Sequence, residues 1–263
     1  MLPDGVKVPL NITLLFWAIK ILSTAMGEAL SDWLDGSANV AVAAAGCLAA
    51  FVAVLGALRW QFRTRRYRAP VYWLAVGMVA TFGTMAADIL HQFLDVPYWS
   101  TTAFYFVVLV AVLWRWWVNE GTLSIHSIDT RRREKFYWAT VLATFALGTA
   151  AGDWTADELR LDFLPSGLLF TALILVTAVA YRLGVDAIFT FWCAYVLTRP
   201  LGASFADYLD AAQSRHGLGI ARPMVWGTLA VLMMTLIAVQ VVVERRRQGP
   251  PATDATAILV GEP

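Results

Sequence analysis

Acidic residues recur at a fixed place along this chain and are the side chains best suited to chemistry. Four aspartates each stand in a W-x9-G-x4-D pattern. The four copies are Trp17, Gly27 and Asp32; Trp73, Gly83 and Asp88; Trp138, Gly148 and Asp153; and Trp192, Gly202 and Asp207. Because carboxylates attract cations and bind protons, four in equivalent places raise the prospect of a cation site.

The elements that hold these aspartates follow from the spacing and the composition. The copies start 56, 65 and 54 residues apart, which is too long for one helix and fits a two-helix hairpin. The chain is 59% hydrophobic and 15% charged, with a mean hydropathy of +0.62, so it is a polytopic membrane protein. A span needs roughly 20 apolar residues. Eight segments qualify, at 12–33, 39–58, 72–93, 99–118, 137–156, 164–182, 186–208 and 222–243.

Pairing these segments predicts an all-α membrane protein with four two-helix repeats. The repeats cover 12–58, 72–118, 137–182 and 186–243 of a single domain, 1–247, and 248–263 form a disordered tail. An even number of spans per repeat makes all four point the same way, related by rotation about the membrane normal. Two arrangements remain open, a pseudo-fourfold ring with the motif helices inside and a pair of unequal halves.

Basic residues predict the orientation of the chain. Loop 59–71 carries five arginines and no acid, and loop 115–136 carries four arginines and Lys135. Because cytoplasmic loops are enriched in Lys and Arg, the between-repeat loops, both termini and the tail are predicted to be cytoplasmic. Orientation explains these charges without a nucleic-acid partner, so the lipid bilayer is the partner that we expect.

The repeated tryptophans and glycines have plain structural interpretations. A Trp at the cytoplasmic start of each motif helix is typical of an aromatic anchor at head-group level, and a Trp lining a vestibule is the alternative. Each Gly lies mid-helix among small residues, which permits close approach between helices, and a hinge is the alternative.

The four aspartates have no such local explanation. Each lies near the C-terminus of an outward-running helix, where the macrodipole disfavours negative charge. An ionisable group near the interface costs about 1–3 kcal/mol unless it is paired or hydrated. Each Asp therefore either accepts hydrogen bonds from a neighbouring repeat or converges with the others on a cation-attracting ring.

The first repeat departs from the other three in its polar residues. Glu28 lies four residues before Asp32, so both carboxylates share one helix face, and Thr24 lies one turn before them. Lys20 continues this stripe toward the cytoplasm, where we expect its side chain to snorkel to the interface.

The fourth repeat supplies a complementary charge. Arg199 stands where repeat 1 has Thr24, and Pro200 follows it and is expected to break the helix. In a closed ring repeat 4 neighbours repeat 1. We therefore predict that Arg199 pairs with Glu28 and Asp32, because a bare arginine at membrane depth is costly.

Other candidates for chemistry are weaker. His91 lies three residues after Asp88, which suits a metal ligand pair or a proton relay, although solvation is the plain interpretation. Cys47 and Cys193 lie in apolar runs and predict neither a disulfide nor a cysteine metal site. The chain lacks HExxH, G-x-S-x-G, P-loop and GxGxxG signatures, so we expect no enzyme and no cofactor.

The fourfold two-span repeat, with a tryptophan in each copy, resembles a family of bacterial membrane proteins made of four tandem repeats of unknown function. The resemblance covers residues 12–243, and FWAIKILSTAMGEALSD, from Phe16 to Asp32, is similar to the family's most characteristic copy. It implies an eight-span protein of the bacterial inner membrane and implies no activity. Repeats 2 to 4 lack the Lys and Glu of repeat 1, so any site is asymmetric.

The leading hypothesis is a transporter or channel for a small cation, with proton coupling as one option. The residues assigned to it are Asp32, Asp88, Asp153 and Asp207 as outer carboxylates, Glu28 as the proton- or cation-binding group, Arg199 as its counter-ion or gate, and Lys20 and Thr24 beside them. The alternative is a non-transporting scaffold or sensor whose aspartates lock the repeats together. The sequence leaves the substrate and the oligomeric state open.

Overall fold

The computed structural model describes residues 6–9, 11–36, 39–94 and 96–247. Within these residues the chain forms eight α-helices of 20 to 26 residues and no β-strand. They are α1 (Leu14–Asp35), α2 (Val40–Arg63), α3 (Ala69–Leu94), α4 (Tyr98–Glu120), α5 (Arg131–Asp153), α6 (Phe163–Arg182), α7 (Ala187–Asp210) and α8 (Arg222–Arg247). A π-helical turn, Trp154–Glu158, follows α5 directly.

The helices that carry the W-x9-G-x4-D pattern, α1, α3, α5 and α7, are called the motif helices, and the other four the outer helices. Three motif helices begin at a side chain that accepts a hydrogen bond from the backbone N–H three residues on, as N-cap residues do. These caps are Thr13, Thr130 and Asp186, at 3.4, 3.3 and 2.8 Å from the nitrogens.

The motif helices lie inside and the outer helices surround them. Each motif helix packs against two others, in the cyclic order α1, α3, α5, α7 and back to α1. Motif helices are more buried than outer helices: 61% and 72% of the apolar stretches of α1 and α3 are buried, against 17–22% in the outer helices. The motif helices therefore form the buried interior of the bundle.

Six of the described helices are long and apolar enough to cross a membrane. These are the four outer helices together with α1 and α3. The other two are less apolar, because α5 starts with a run of charged residues and α7 carries Arg199 and Asp207. Polar side chains are compatible with α5 and α7 because most residues of these two helices are buried or partly buried by protein.

The motif glycines set the spacing of this ring. A Cβ added at any of the four would lie within 3.0 Å of an atom on the next motif helix. Gly27 packs on Ala80, Gly83 on Phe145, Gly148 on Arg199, and Gly202 on Thr24. The predicted packing role of the glycines is thus confirmed, since each contact joins one repeat to the next in cyclic order.

The outer helices continue this cyclic pattern. Each packs most extensively on the motif helix of the following repeat: α2 on α3, α4 on α5, α6 on α7, and α8 on α1. Contacts between the two helices of one hairpin are fewer. Neighbouring repeats are therefore interlocked rather than stacked as separate hairpins.

The motif tryptophans do not anchor the bundle at head-group level. The side chains of Trp73, Trp138 and Trp192 are buried, and Trp17 is partly buried. The indole of Trp73 donates to Gln240 Oε1 at 2.8 Å, and that of Trp192 donates to the Leu123 carbonyl at 3.0 Å. The anchor interpretation is wrong for these three residues, because they pack into the interior between helices.

Each motif tryptophan follows another aromatic residue, and the pairs form a continuous layer. The residues of this aromatic layer are Phe16, Trp17, Tyr72, Trp73, Tyr137, Trp138, Phe191 and Trp192. The two tyrosine hydroxyls, of Tyr72 and Tyr137, lie 2.5 Å apart. The layer fills the end of the bundle at which the motif helices start, called the tryptophan end; the opposite end is called the aspartate end.

A short segment before α1 packs across the tryptophan end. Val6 and Val8 are buried, and the carbonyl of Val6 accepts a hydrogen bond from Tyr67 N at 2.9 Å. Lys7 Nζ forms an ion pair with Glu134 Oε2 at 2.8 Å and also donates to the Phe62 carbonyl at 3.1 Å. This segment joins the loop after α2 to the start of α5 and helps to close that end.

Candidate functional site

All four motif aspartates line one cavity at the aspartate end of the bundle. The cavity has a volume of about 800 Å³, and seven acidic side chains line it. They are Glu28, Asp32, Asp88, Asp153, Asp157, Asp207 and Asp210. The fixed position of each Asp on its helix, combined with the cyclic packing, brings the four together. This group of side chains is called the acidic cavity.

Two groups of three carboxylates within the acidic cavity are close enough to share a cation. One group is Glu28, Asp153 and Asp207, and the other is Asp32, Asp207 and Asp210. In each group one oxygen per residue lies within 4.8 Å of the others. Oxygen ligands that can surround one ion in this way suit hard cations such as Mg²⁺ and Ca²⁺. Asp207 belongs to both groups and joins them.

The floor of the acidic cavity is a buried ion pair between Arg199 and Glu28. Arg199 Nη2 donates to Glu28 Oε2 and to Thr84 Oγ1, and it lies 2.7 Å from Thr149 Oγ1. The predicted pairing of Arg199 with Glu28 is confirmed. The Arg199 side chain is 0% exposed and the Glu28 side chain is 4% exposed, so both charges are desolvated. One guanidinium thereby contacts polar groups from three other motif helices.

Threonines complete this floor. Thr84 Oγ1 donates to Glu28 Oε2 at 3.0 Å, and Thr24 Oγ1 donates to the Thr198 carbonyl at 3.0 Å. Arg199 Nη1 reaches the Thr24 carbonyl at 3.3 Å. Thr84 occupies the place in repeat 2 that Glu28 has in repeat 1, four residues before the motif aspartate. Equivalent positions of the repeats thus meet around the same guanidinium.

Pro200 does not break α7. The helix runs continuously from Ala187 to Asp210 with the proline inside it. The expected break is wrong, because α7 is packed between α5, α6 and α1 along this stretch. Pro200 instead contributes to the close contact with Gly148 of the neighbouring repeat.

Lys20 lies deeper than Arg199 and does not reach an interface. Its side chain is fully buried, and its Nζ lies 4.4 Å from the centre of the Phe145 ring and 4.3 Å from that of Tyr195. The snorkelling interpretation is wrong. The aromatic rings of α5 and α7 enclose the amine before it reaches the tryptophan end.

Four charged residues of the cavity were not assigned to the site by the sequence. Asp157 and Asp210 add carboxylates, whereas Arg215 and Arg222 add positive charge at the edge. Asp210 lies beyond the apolar stretch of α7. Burial raises the pKa of its carboxyl group to about 6, although the Arg222 guanidinium acts to lower that pKa. These four residues lie at helix ends or in short helical turns, outside the repeated W-x9-G-x4-D pattern. The signal that could have found them is acidic residues close behind a motif aspartate, as in Asp153 with Asp157.

The structure brings together the predicted outer carboxylates, Glu28, Arg199 and Thr24, and it encloses Lys20 below them. The side chain of His91 and the predicted tail at 248–263 lie outside the described residues. Within the described part, the groups of three potential metal ligands are made of carboxylates alone.

Comparison with protein families gives one match that spans most of the chain. A family model with the description Repeat of Unknown Function (DUF347) matches four times in tandem, at residues 15–67, 71–122, 136–183 and 190–246. Comparisons with curated proteins and with solved structures found no match. The four matches follow the four hairpins read from the sequence.

Proposed function

The chain belongs to this repeat family of unknown function, and we propose that it is a membrane transporter that binds a small cation in the acidic cavity. The observation that carries the proposal is the convergence of seven carboxylates on one cavity, against Arg199 at its floor and two arginines at its edge. Charged residues inside membrane helices mark ion pathways more often than they serve packing. We propose no chemical reaction for this site.

The proposal includes eight spans in a pseudo-fourfold ring. Two observations support it: the cyclic packing of the motif helices, and the repeated glycine contact between successive repeats. Although α5 and α7 are less apolar than the other helices, α4 and α6 pack on them and cover part of their surface. The aspartate end then faces outward from a bacterial inner membrane, because the arginine-rich loops lie at the tryptophan end.

A carrier fits the interior better than an open channel. Below the acidic cavity, Arg199, the enclosed Lys20 and the aromatic layer occupy the space between the motif helices. A cation entering from the aspartate end would meet the fixed positive charge of Arg199 at close range, which opposes free passage. Entry further into the bundle therefore requires movement of Arg199. This residue acts as a gate, and Glu28 acts as the group that holds it.

Cation binding competes with the ion pair in this proposal. A cation bound by Glu28, Asp153 and Asp207 would draw on the same Glu28 carboxylate that Arg199 now contacts. Thr84 and Thr149 can retain the guanidinium when Glu28 is occupied, since both hydroxyls already accept from it. Cation binding and breakage of the Arg199–Glu28 ion pair are thereby coupled through one carboxylate, while the threonines keep their hydrogen bonds to the guanidinium.

Flux into liposomes tests the proposal directly. The purified protein would be reconstituted, and uptake of Mg²⁺, Ca²⁺ and Na⁺ would be followed with dyes trapped inside. We expect uptake of at least one ion and its loss in Glu28→Gln and Asp207→Asn. Asp162→Asn is the matched control, because Asp162 is a half-exposed carboxylate at the same end but outside the acidic cavity. Flux that is absent for every ion, or unchanged in both cavity variants, would reject the assignment.

A scaffold or sensor is the second candidate, and one surface observation favours it. Four arginines at the end of α2 and in the loop after it line a surface depression of about 510 Å³ with Trp60: Arg63, Arg65, Arg66 and Arg68. Such a cluster suits anionic lipid head groups. Cation binding without flux, together with binding to anionic vesicles that is lost when these arginines are neutralised, would favour this candidate.

A further inference from the structure

Lys20 is an ionisable side chain for which the cation site provides no partner. It is 0% exposed, and its Nζ has no hydrogen-bond partner. Its near neighbours are the rings of Phe145 and Tyr195, at 4.4 and 4.3 Å. The charged group that acts on it is Arg199, which has the same sign. Among the described residues, no carboxylate forms an ion pair with Lys20.

The balance of energies does not favour a permanent ammonium ion at this position. Burying an unpaired ion remains unfavourable even after the surroundings relax. A cation–π contact returns only part of that cost, and the repulsion from Arg199 adds to it. Burying a neutral amine costs less free energy than burying an ammonium ion. The geometry therefore suits a side chain that gains and loses a proton as its surroundings change.

Other titratable groups surround this part of the bundle. On α1 itself, Glu28 lies about 12 Å further along the helix at 1.5 Å per residue. From α7 come Arg199 and Tyr195, from α5 comes Tyr137, and from α3 comes Tyr72. Apart from Arg199 and Glu28, these groups are tyrosines. The charge balance that changes with cation binding is therefore that of the Arg199–Glu28 ion pair.

Hydrogen-bonding side chains are also present closer to the tryptophan end. The Tyr72 and Tyr137 hydroxyls lie 2.5 Å apart. Further on, Gln240 Nε2 donates to the Tyr67 hydroxyl at 3.0 Å and to Glu244 Oε1 at 2.9 Å. A proton that leaves Lys20 thus has polar groups along its way to solvent.

We infer that Lys20 is a proton-binding site whose occupancy excludes that of the acidic cavity, so that the protein exchanges a cation for a proton. The inference rests on the proposed cation site. When a cation takes Glu28, Arg199 loses its counter-ion and its charge acts undiminished on Lys20. One Nζ–H bond then breaks, its electron pair stays on nitrogen, and the proton passes toward the tryptophan end. Release of the cation reverses each step.

Direct observation of the amine is the sharpest test. The chain has three lysines, Lys7, Lys20 and Lys135, so lysine labelled with ¹³C at Cε gives three signals in detergent or nanodiscs. Lys20→Met and Lys135→Met assign them, and Lys7→Met assigns the Lys20 signal by elimination if Lys20→Met does not fold. The Cε shift distinguishes an amine from an ammonium. We expect the Lys20 signal to titrate within the pH range in which the protein stays folded, and its midpoint to fall when Mg²⁺, Ca²⁺ or Na⁺ is added.

A second measurement links this proton to the cation. Proton release on cation addition would be followed in weakly buffered solution, with cation binding measured by calorimetry on the same samples. We expect Lys20→Met to bind the cation but to release up to one proton fewer per ion, while Lys135→Met behaves like the wild type. Lys135 is a suitable control because it is exposed.

The outcomes separate the two proposals. If an ion binds but the Lys20 signal stays an ammonium at every pH, or its midpoint does not move, the inference is wrong and the cation site stands. If none of the three ions binds, the proposed cation site fails and the exchange fails with it. A titrating Lys20 would then still support the proton site alone.

Discussion

Replacing a motif glycine by alanine tests the cyclic packing with a magnitude that the structure supplies. At Gly27 the added Cβ would meet the Cβ of Ala80 and two backbone atoms, Thr81 N at 3.0 Å and Ala80 C at 3.1 Å. Backbone atoms cannot rotate away, so we expect the overpacking cost of about 1–3 kcal/mol found for crowded interiors. The same change at Gly56, where nothing lies within 4 Å, should have no such cost.

The two variants form a matched pair. Alanine raises intrinsic helix stability by about 1 kcal/mol over glycine at both positions, so this gain cancels in the difference. What remains is the overpacking cost alone. At roughly 2–4 °C per kcal/mol for a chain of this size, Gly27→Ala should unfold about 2–12 °C below Gly56→Ala.

Far-ultraviolet circular dichroism of the purified protein in detergent would measure both midpoints. Gly148→Ala should behave like Gly27→Ala and should also displace Arg199, whose Cβ and Cγ occupy the space that the new methyl group needs. Equal midpoints for Gly27→Ala and Gly56→Ala would refute the idea that these glycines set the spacing of the motif helices.

Two further predictions concern buried ion pairs. Arg199→Met or Glu28→Gln alone should cost about 3–5 kcal/mol, because each leaves a buried charge unpaired, and the double variant should recover part of that loss. Additive losses in thermal unfolding would argue against the pair. Burial raises the pKa of Glu134 above 4.5 despite its contact with Lys7. The folded state therefore holds that proton more tightly than the unfolded state, and this residue's contribution to stability falls as pH rises from about 4.5 through the raised value. Glu134→Gln should remove that part of the pH dependence in chemical unfolding, and an unchanged pH profile would contradict the assignment.

Features repeated at a fixed spacing could be predicted from the sequence. The four hairpins, the glycine contacts and the Arg199–Glu28 pair follow from equivalent positions once the motif helices are placed in a ring. Arg199 and Thr24 are both seven residues after their tryptophans, and Glu28 is eleven after its own. Equal offsets mean similar depth in the bundle, and Glu28 lies about one helical turn beyond Thr24, within reach of the long Arg199 side chain.

Features that depend on side-chain enclosure could not be predicted in this way. A tryptophan at a helix start looks the same in sequence whether it faces lipid or protein. The buried indole of Trp73 is stabilised by a hydrogen bond to Gln240, which is far away along the chain. Lys20 is long enough to reach an interface, and only the positions of Phe145 and Tyr195 show that it does not. One available signal was overlooked, the aromatic residue before every motif tryptophan.

The packing of each outer helix on the following repeat has a consequence for how the protein is made. A ribosome delivers α1 first and α8 much later, yet α1 is covered on one side by α7 and α8. Until α7 has been inserted, α1 exposes Lys20 and Glu28 without Tyr195 and Arg199, their final neighbours on that helix. No hairpin is complete by itself, so membrane insertion proceeds through intermediates in which the ring of motif helices is still open. A circularly permuted chain, with α8 joined to α1 and new termini between two other repeats, should still assemble.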